Sequence, residues 1–140
     1  MLAPAQTLRA DSRLTTGVIA SKRDGCVELA IAGSDYRLLL AVSAPISAEE
    51  GQKVQGVIRA QARRIDVIPA GGRFISPVLG RPCRVQGRVI ELREDENAIV
   101  VRAAAPITLL LGANQRVNQF AVGQLVATDV EAGATLTLQD

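Results

Sequence analysis

Histidine is absent from this 140-residue chain. With it go the commonest general base, the commonest metal ligand, and the serine–histidine and cysteine–histidine nucleophile systems. Tryptophan is absent too, and two phenylalanines and one tyrosine are the whole aromatic complement. The core must therefore be built from Val, Ile, Leu and Ala. A surface that stacks nucleic-acid bases on rings has few platforms to offer. The two cysteines, Cys26 and Cys83, show no C-x-x-C spacing, so a structural zinc is not expected. They are read as buried thiols acting as small hydrophobes. Long apolar runs are also missing: "LLLAV" and "ITLLLGA" are too short to span a bilayer. The opening "MLAPAQTLRADSRL" lacks the basic and apolar blocks of a signal peptide. The expectation is a soluble cytoplasmic protein with no membrane partner.

Motifs of catalysis are equally scarce. There is no P-loop, G-x-G-x-x-G or G-x-S-x-G. Glu94, Asp95 and Glu96 crowd into one turn, whereas acid–base chemistry needs carboxylates held across a cleft. Lys22 and Lys53 lie beside turn-like sequence, a poor setting for a desolvated amine nucleophile. An enzyme is not expected, and no catalytic residue, metal ligand or resident cofactor is assigned.

What is present is aliphatic and basic. Hydrophobic residues make up 48% of the chain and charged residues 21%, which excludes global disorder. Basic charge comes from fourteen Arg and two Lys, and the formal net charge is +2. The charge is uneven. Seven arginines (Arg59, Arg63, Arg64, Arg73, Arg81, Arg84 and Arg88) fall in a segment whose one acid is Asp66. An acidic knot follows, Glu91, Glu94, Asp95 and Glu96, broken by Arg93. Arg63, Arg64, Arg73, Arg81, Arg84 and Arg88 form a candidate basic patch facing an anion.

Apolar residues recur at period two with β-branched types prominent, so the chain reads as strands. "GVIASKRDGCVELAI" predicts a hairpin around Asp24-Gly25, and "DYRLLLAVS" a third strand with Leu38, Leu40 and Val42 on one face. "APISAEEGQ" predicts a connection with one helical turn. "KVQGVIRAQ" and "RRIDVIP" predict a fourth and a fifth strand. The Gly/Pro-rich "AGGRFISPVLGRP" reads as a linker. The pattern then runs again: "RVQGRVIEL", "NAIVVRA", "PITLLLGA", a connection, "LVATDV" and "TLTLQ". A slide of 71 to 72 positions superposes "GQKV" (51–54) on "GQLV" (123–126), and Val18-Ile19 on Val89-Ile90. Gly56 and Gly87, each inside a "VQG" strand, predict sharp bends or close backbone approach. The expected fold is all-β: tandem five-stranded OB-like Greek-key barrels from an internal duplication, at residues 12–72 and 80–140, joined by 73–79. One larger barrel built from both repeats is the alternative.

Three binding readings follow. The first is a module that assembles with itself or with another protein through an open sheet edge. The second is single-stranded nucleic acid on a basic OB face. The third arises from a resemblance. "VELAIAGSDYRLLLAVSAPISAEEGQKVQGVIRAQARRIDV" resembles the molybdate-binding MOP/TOBE family of small OB-like modules, in V-x-L-x-I-x-G, a Leu-rich strand ending in Ser43, and E-G-x-x-V-x-x-x-I-R-A. The resemblance implies binding of molybdate or a similar small oxyanion, at Ser12, Arg13, Ser43 and Arg59. Ser12-Arg13 stands where the family has a Ser-Ala-Arg-Asn stretch, and Arg59 where it has a lysine. Such a ligand wants hydroxyl, amide and guanidinium donors without carboxylates. The second half departs from the pattern at "TDVEA", with Asp129 where Arg59 would fall.

Overall fold

The computed structural model describes residues 11–43 and 45–139, and these form an all-β structure. Twelve strands run in chain order: β1 Leu14–Arg23, β2 Cys26–Ile31, β3 Arg37–Ala41, β4 Lys53–Gln61, β5 Asp66–Val67, β6 Phe74–Ser76, β7 Leu79–Gly80, β8 Arg84–Arg93, β9 Ala98–Arg102, β10 Pro106–Leu110, β11 Leu125–Asp129 and β12 Thr135–Leu138. Period-two alternation decides which face is buried. In β1 the buried positions are Thr15, Gly17 and Ile19; in β8 they are Val85, Gly87 and Val89. The Asp24-Gly25 turn closes β1 on β2, with Gly25 at φ 75°. A 3-10 turn at Glu94–Glu96 closes β8 on β9, ending at Asn97 in the left-handed region. The segment 45–52 is irregular with a turn at 50–51 in place of the expected helical turn, the Gln52 N–H donating to the Glu49 carbonyl.

Five strands close into a barrel. β1 pairs with β2, β2 with β3, β3 with β12, β12 with β4, and β4 returns to β1. The fifth place is filled by Thr135–Leu138, from the far end of the chain, and not by the segment that follows β4. The end of β4 and the segment after it serve the other strands. Arg59–Gln61 runs parallel to β10, and Asp66–Val67 pairs with β11, which itself pairs with β8. The two segments cross at Ala62 and Val130. There the Arg63 N–H donates to the Asp129 carbonyl at 3.0 Å, and the Glu131 N–H donates to the Gln61 carbonyl at 2.8 Å. Each strand group thus takes a strand from the other half into its hydrogen bonding.

The Gly/Pro-rich segment is built into the sheet. Its β6 pairs with β8 and its β7 with β3, so it joins the two strand groups by backbone pairing. One hydrophobic cluster holds both groups. It contains Ile19, Leu29, Leu38, Leu40 and Ile58 together with Val89, Ile99, Ile107 and Leu109, all essentially inaccessible. At roughly 1.5–3 kcal/mol for each such side chain, this shared core outweighs any surface ion pair.

Register relates the two long strands by a different offset from the sequence slide. β1 and β8 are both ten residues long, with a bulge between Ile19 and Ser21 in one and between Val89 and Glu91 in the other. This places Gly87 level with Gly17, one position off the sequence-based slide. Gly56, the glycine of the similar "VQGVI", faces β12 instead. At Gly87 a Cβ would overlap the Arg102 carbonyl, and at Gly17 it would lie 2.6 Å from the Ala30 carbonyl oxygen. Both are close-approach glycines where a hairpin coils over its partner strand.

Candidate anion-binding sites

Three of the four residues of the expected oxyanion site come together. Ser12 and Arg13 precede β1, and Arg59 lies near the end of β4. The turn after β8 reaches them with carboxylates. Glu96 accepts hydrogen bonds from Arg59 (3.1 Å), Arg93 (2.7 Å) and Arg13 (3.3 Å). Arg93 also binds Glu91 at 2.7 Å, the Ser12 hydroxyl donates to Glu91, and Arg13 binds Asp11 at 2.7 Å. Three guanidiniums thus face Asp11, Glu91 and Glu96, with Asp95 a looser fourth carboxylate 3.6 Å from Arg93, so their positive charge is fully offset. Burial alone would raise the Glu96 pKa, but hydrogen bonds from Arg93 and Arg59 hold it below the usual glutamate value. The side-chain hydrogen bond from Arg13 lowers Asp11 to about 2. Beside this cluster Thr108, opposite Arg59 on β10, is fully buried with no partner for its hydroxyl.

Ser43 lies elsewhere, in a cleft of about 270 Å³ shared with Lys22, Arg23, Cys26 and Ile46. Cys83 is exposed and Cys26 half-buried, and both are free, so the expectation of two buried thiols fails. Cys83 immediately precedes β8 and is not one of its inward-facing positions.

The six arginines of the expected basic patch are dispersed. Arg84 pairs with Asp129 across β8 and β11 at 2.9 Å. Arg88 donates to the Gly123 carbonyl at 2.9 Å. Arg81 borders a small recess with Asp24, Cys26 and Gly133, while Arg73 is exposed ahead of β6. Only Arg63 and Arg64 share a cavity. They line a cleft of about 360 Å³ at the strand crossing, with Gly112, Ala113, Asn114, Gln115 and Gln119. No carboxylate lines it. Arg63 is held through Nε by Glu131 at 2.6 Å, and Arg64 more loosely by Asp66 at 3.4 Å.

The opposite wall of this cleft is anchored to the crossing. The Gln115 carboxamide accepts from the Ile65 N–H and donates to the Ile65 carbonyl, both at 2.8 Å. This pair of hydrogen bonds fixes the 112–115 turn against the chain that carries the arginines. Among the described residues the N–H groups of Gly112, Ala113 and Asn114 have no protein acceptor. The cleft is therefore rich in donors and suits an anion.

Sequence reasoning missed Asn114, Gln119 and the clamp formed by Asp11, Glu91, Arg93 and Glu96. The acidic knot interrupted by Arg93 was the legible signal; its partners lay about half the chain away. The register also pairs Gly17 with Val54 and Gly87 with Val126. Counting onward from those valines, Glu131 rather than Asp129 takes the place of Arg59. No family model, curated protein or solved structure matches the chain. Among the described residues no group of three or more His, Cys, Asp or Glu is placed to hold a metal ion. No helix there is long and apolar enough to cross a membrane.

Proposed function

We propose that this protein is a non-catalytic β-barrel module that binds a small anionic ligand in the Arg63–Arg64 cleft. The observation that carries the reading is the composition of the cleft: two arginines and a turn with free N–H groups line it together, with no carboxylate in the lining. At about 360 Å³ the space suits a phosphate- or carboxylate-bearing small molecule better than a bare ion. The architecture supporting it we infer to be two OB-like barrels from a duplication, each completed by the other's fifth strand. Matching bulges in β1 and β8 support this, as does the common register of "GQKV" and "GQLV". Calorimetric titration with a panel of phosphorylated and carboxylated metabolites tests the function. Arg63→Glu with Arg64→Glu should abolish binding while leaving the far-ultraviolet circular dichroism unchanged. Equal binding by both proteins would overturn the assignment.

A second reading has its own support in the orphan hydroxyl of Thr108 beside Arg59. A tetrahedral oxyanion of the molybdate type would take donors from Ser12, Arg13, Arg59 and Thr108 by displacing the carboxylate of Glu96. Glu96→Gln should then bind molybdate more tightly than the unmodified protein in equilibrium dialysis. No gain would remove this reading.

A further inference from the structure

Arg88 on β8 and Arg102 on β9 stand directly opposite each other on the solvent face of the hairpin. Like charges in cross-strand register repel and cost stability. Among the described residues neither makes an ion pair, although every arginine of the nearby clamp does. The Gly123 carbonyl fixes the Arg88 guanidinium, and the preceding residue, Val122, is 63% exposed. The base of the β8–β9 hairpin is thus positive, pre-oriented and flanked by an exposed aliphatic side chain.

The tip of the same hairpin has the opposite character. Glu94 is exposed and makes no ion pair among the described residues. Asp95 is 70% exposed and only loosely held, 3.6 Å from Arg93. Leu92, 36% exposed, lies beside them. Base and tip are six residues apart, about 20 Å along an extended strand. One hairpin therefore carries a basic base and an acidic tip, the tip offset in part by Arg93 beside Asp95 and by Arg116, which lines a shallow cleft with Glu94.

We propose that the β8–β9 hairpin is a self-association surface whose partner is a second copy of this chain. Two hairpins related by a two-fold axis place Arg88 and Arg102 of each copy against Glu94 and Asp95 of the other. Both charged ends are then offset at once. The Arg63–Arg64 cleft takes no part in this contact, so the association and the anion reading stand or fall separately.

Sedimentation equilibrium on the full chain tests the proposal. The expected result is a dimer at low ionic strength that dissociates as salt is added, because the contacts are exposed and screened. Arg88→Glu with Arg102→Glu should be monomeric, as should Glu94→Arg with Asp95→Arg. Mixed together, the two variants should form a heterodimer, since each then offers the charge the other needs at both contacts. Neither variant alone would do so. That restoration also excludes misfolding as the cause of the two monomers. A monomer at every salt concentration, a dimer insensitive to both reversals, or no heterodimer on mixing would each overturn the proposal.

Discussion

The β1–β2 and β8–β9 hairpins share one backbone plan and differ at their turns. Each begins with a ten-residue strand carrying a close-approach glycine and a bulge two residues later. The first closes at Asp24-Gly25, whose residues are exposed and make no ion pair among the described residues. The second closes through Glu94–Glu96, where the Glu96 carboxylate gathers three arginines from three parts of the chain. The comparison separates two tasks. Coiling the hairpin is a backbone problem solved the same way twice, whereas fixing its tip is an electrostatic problem solved only in the second.

The largest test of the shared part is Gly87→Val. Its Cβ would overlap the Arg102 backbone, which has no flexible end to yield, so a loss of about 3 kcal/mol or more is expected in urea unfolding. A neutral result would show that the two strands can separate there, and that the parallel with Gly17 is fortuitous.

The difference between the turns is tested by Glu96→Ala beside Asp24→Ala. Removing Glu96 leaves three partly exposed guanidiniums without their common acceptor. A loss of about 1–2 kcal/mol is expected, against less than about 0.5 kcal/mol for Asp24→Ala. Equal losses would mean that the clamp contributes no more than an ordinary surface turn.

Acid provides the finest test. Asp11 and Glu96 are more acidic in the fold than in an unfolded chain, so their contribution is fully present above the unfolded carboxylate values and is lost as pH falls through the folded ones. For Asp11 the window runs from 3.8 down to about 2. The protein should therefore lose stability between roughly pH 5 and pH 2. In Glu96→Ala that decline should be shallower, as followed by melting temperature against pH. Parallel curves would show that Glu96 ionises equally in both states.

Local features were legible in the residues themselves. "KVQGVIRAQ" is β4 from end to end, and Leu38 and Leu40 turn inward together, because alternation is written into neighbouring side chains. The "AGGRFISPVLGRP" segment misled: its glycines and prolines signal a break, yet Phe74–Ser76 and Leu79–Gly80 pair with distant strands. The oxyanion quartet was partly legible. Ser12, Arg13 and Arg59 do converge, but nothing near them in the chain announced the carboxylates that occupy their donors.

By itself the sequence determined the class of structure, the positions of the longer strands, the two hairpin turns and the aliphatic character of the core. All of these depend on residues within a few positions of one another. Only the tertiary structure decided that Thr135–Leu138 completes the barrel begun by Leu14–Arg23, and that Ser12 and Arg13 meet Glu91 and Glu96 across separations of 79 and 83 residues. Several edges and several carboxylates were chemically acceptable to each segment. The choice among them rests on pairing the strands' backbone groups and burying one common core, conditions that belong to the whole chain at once.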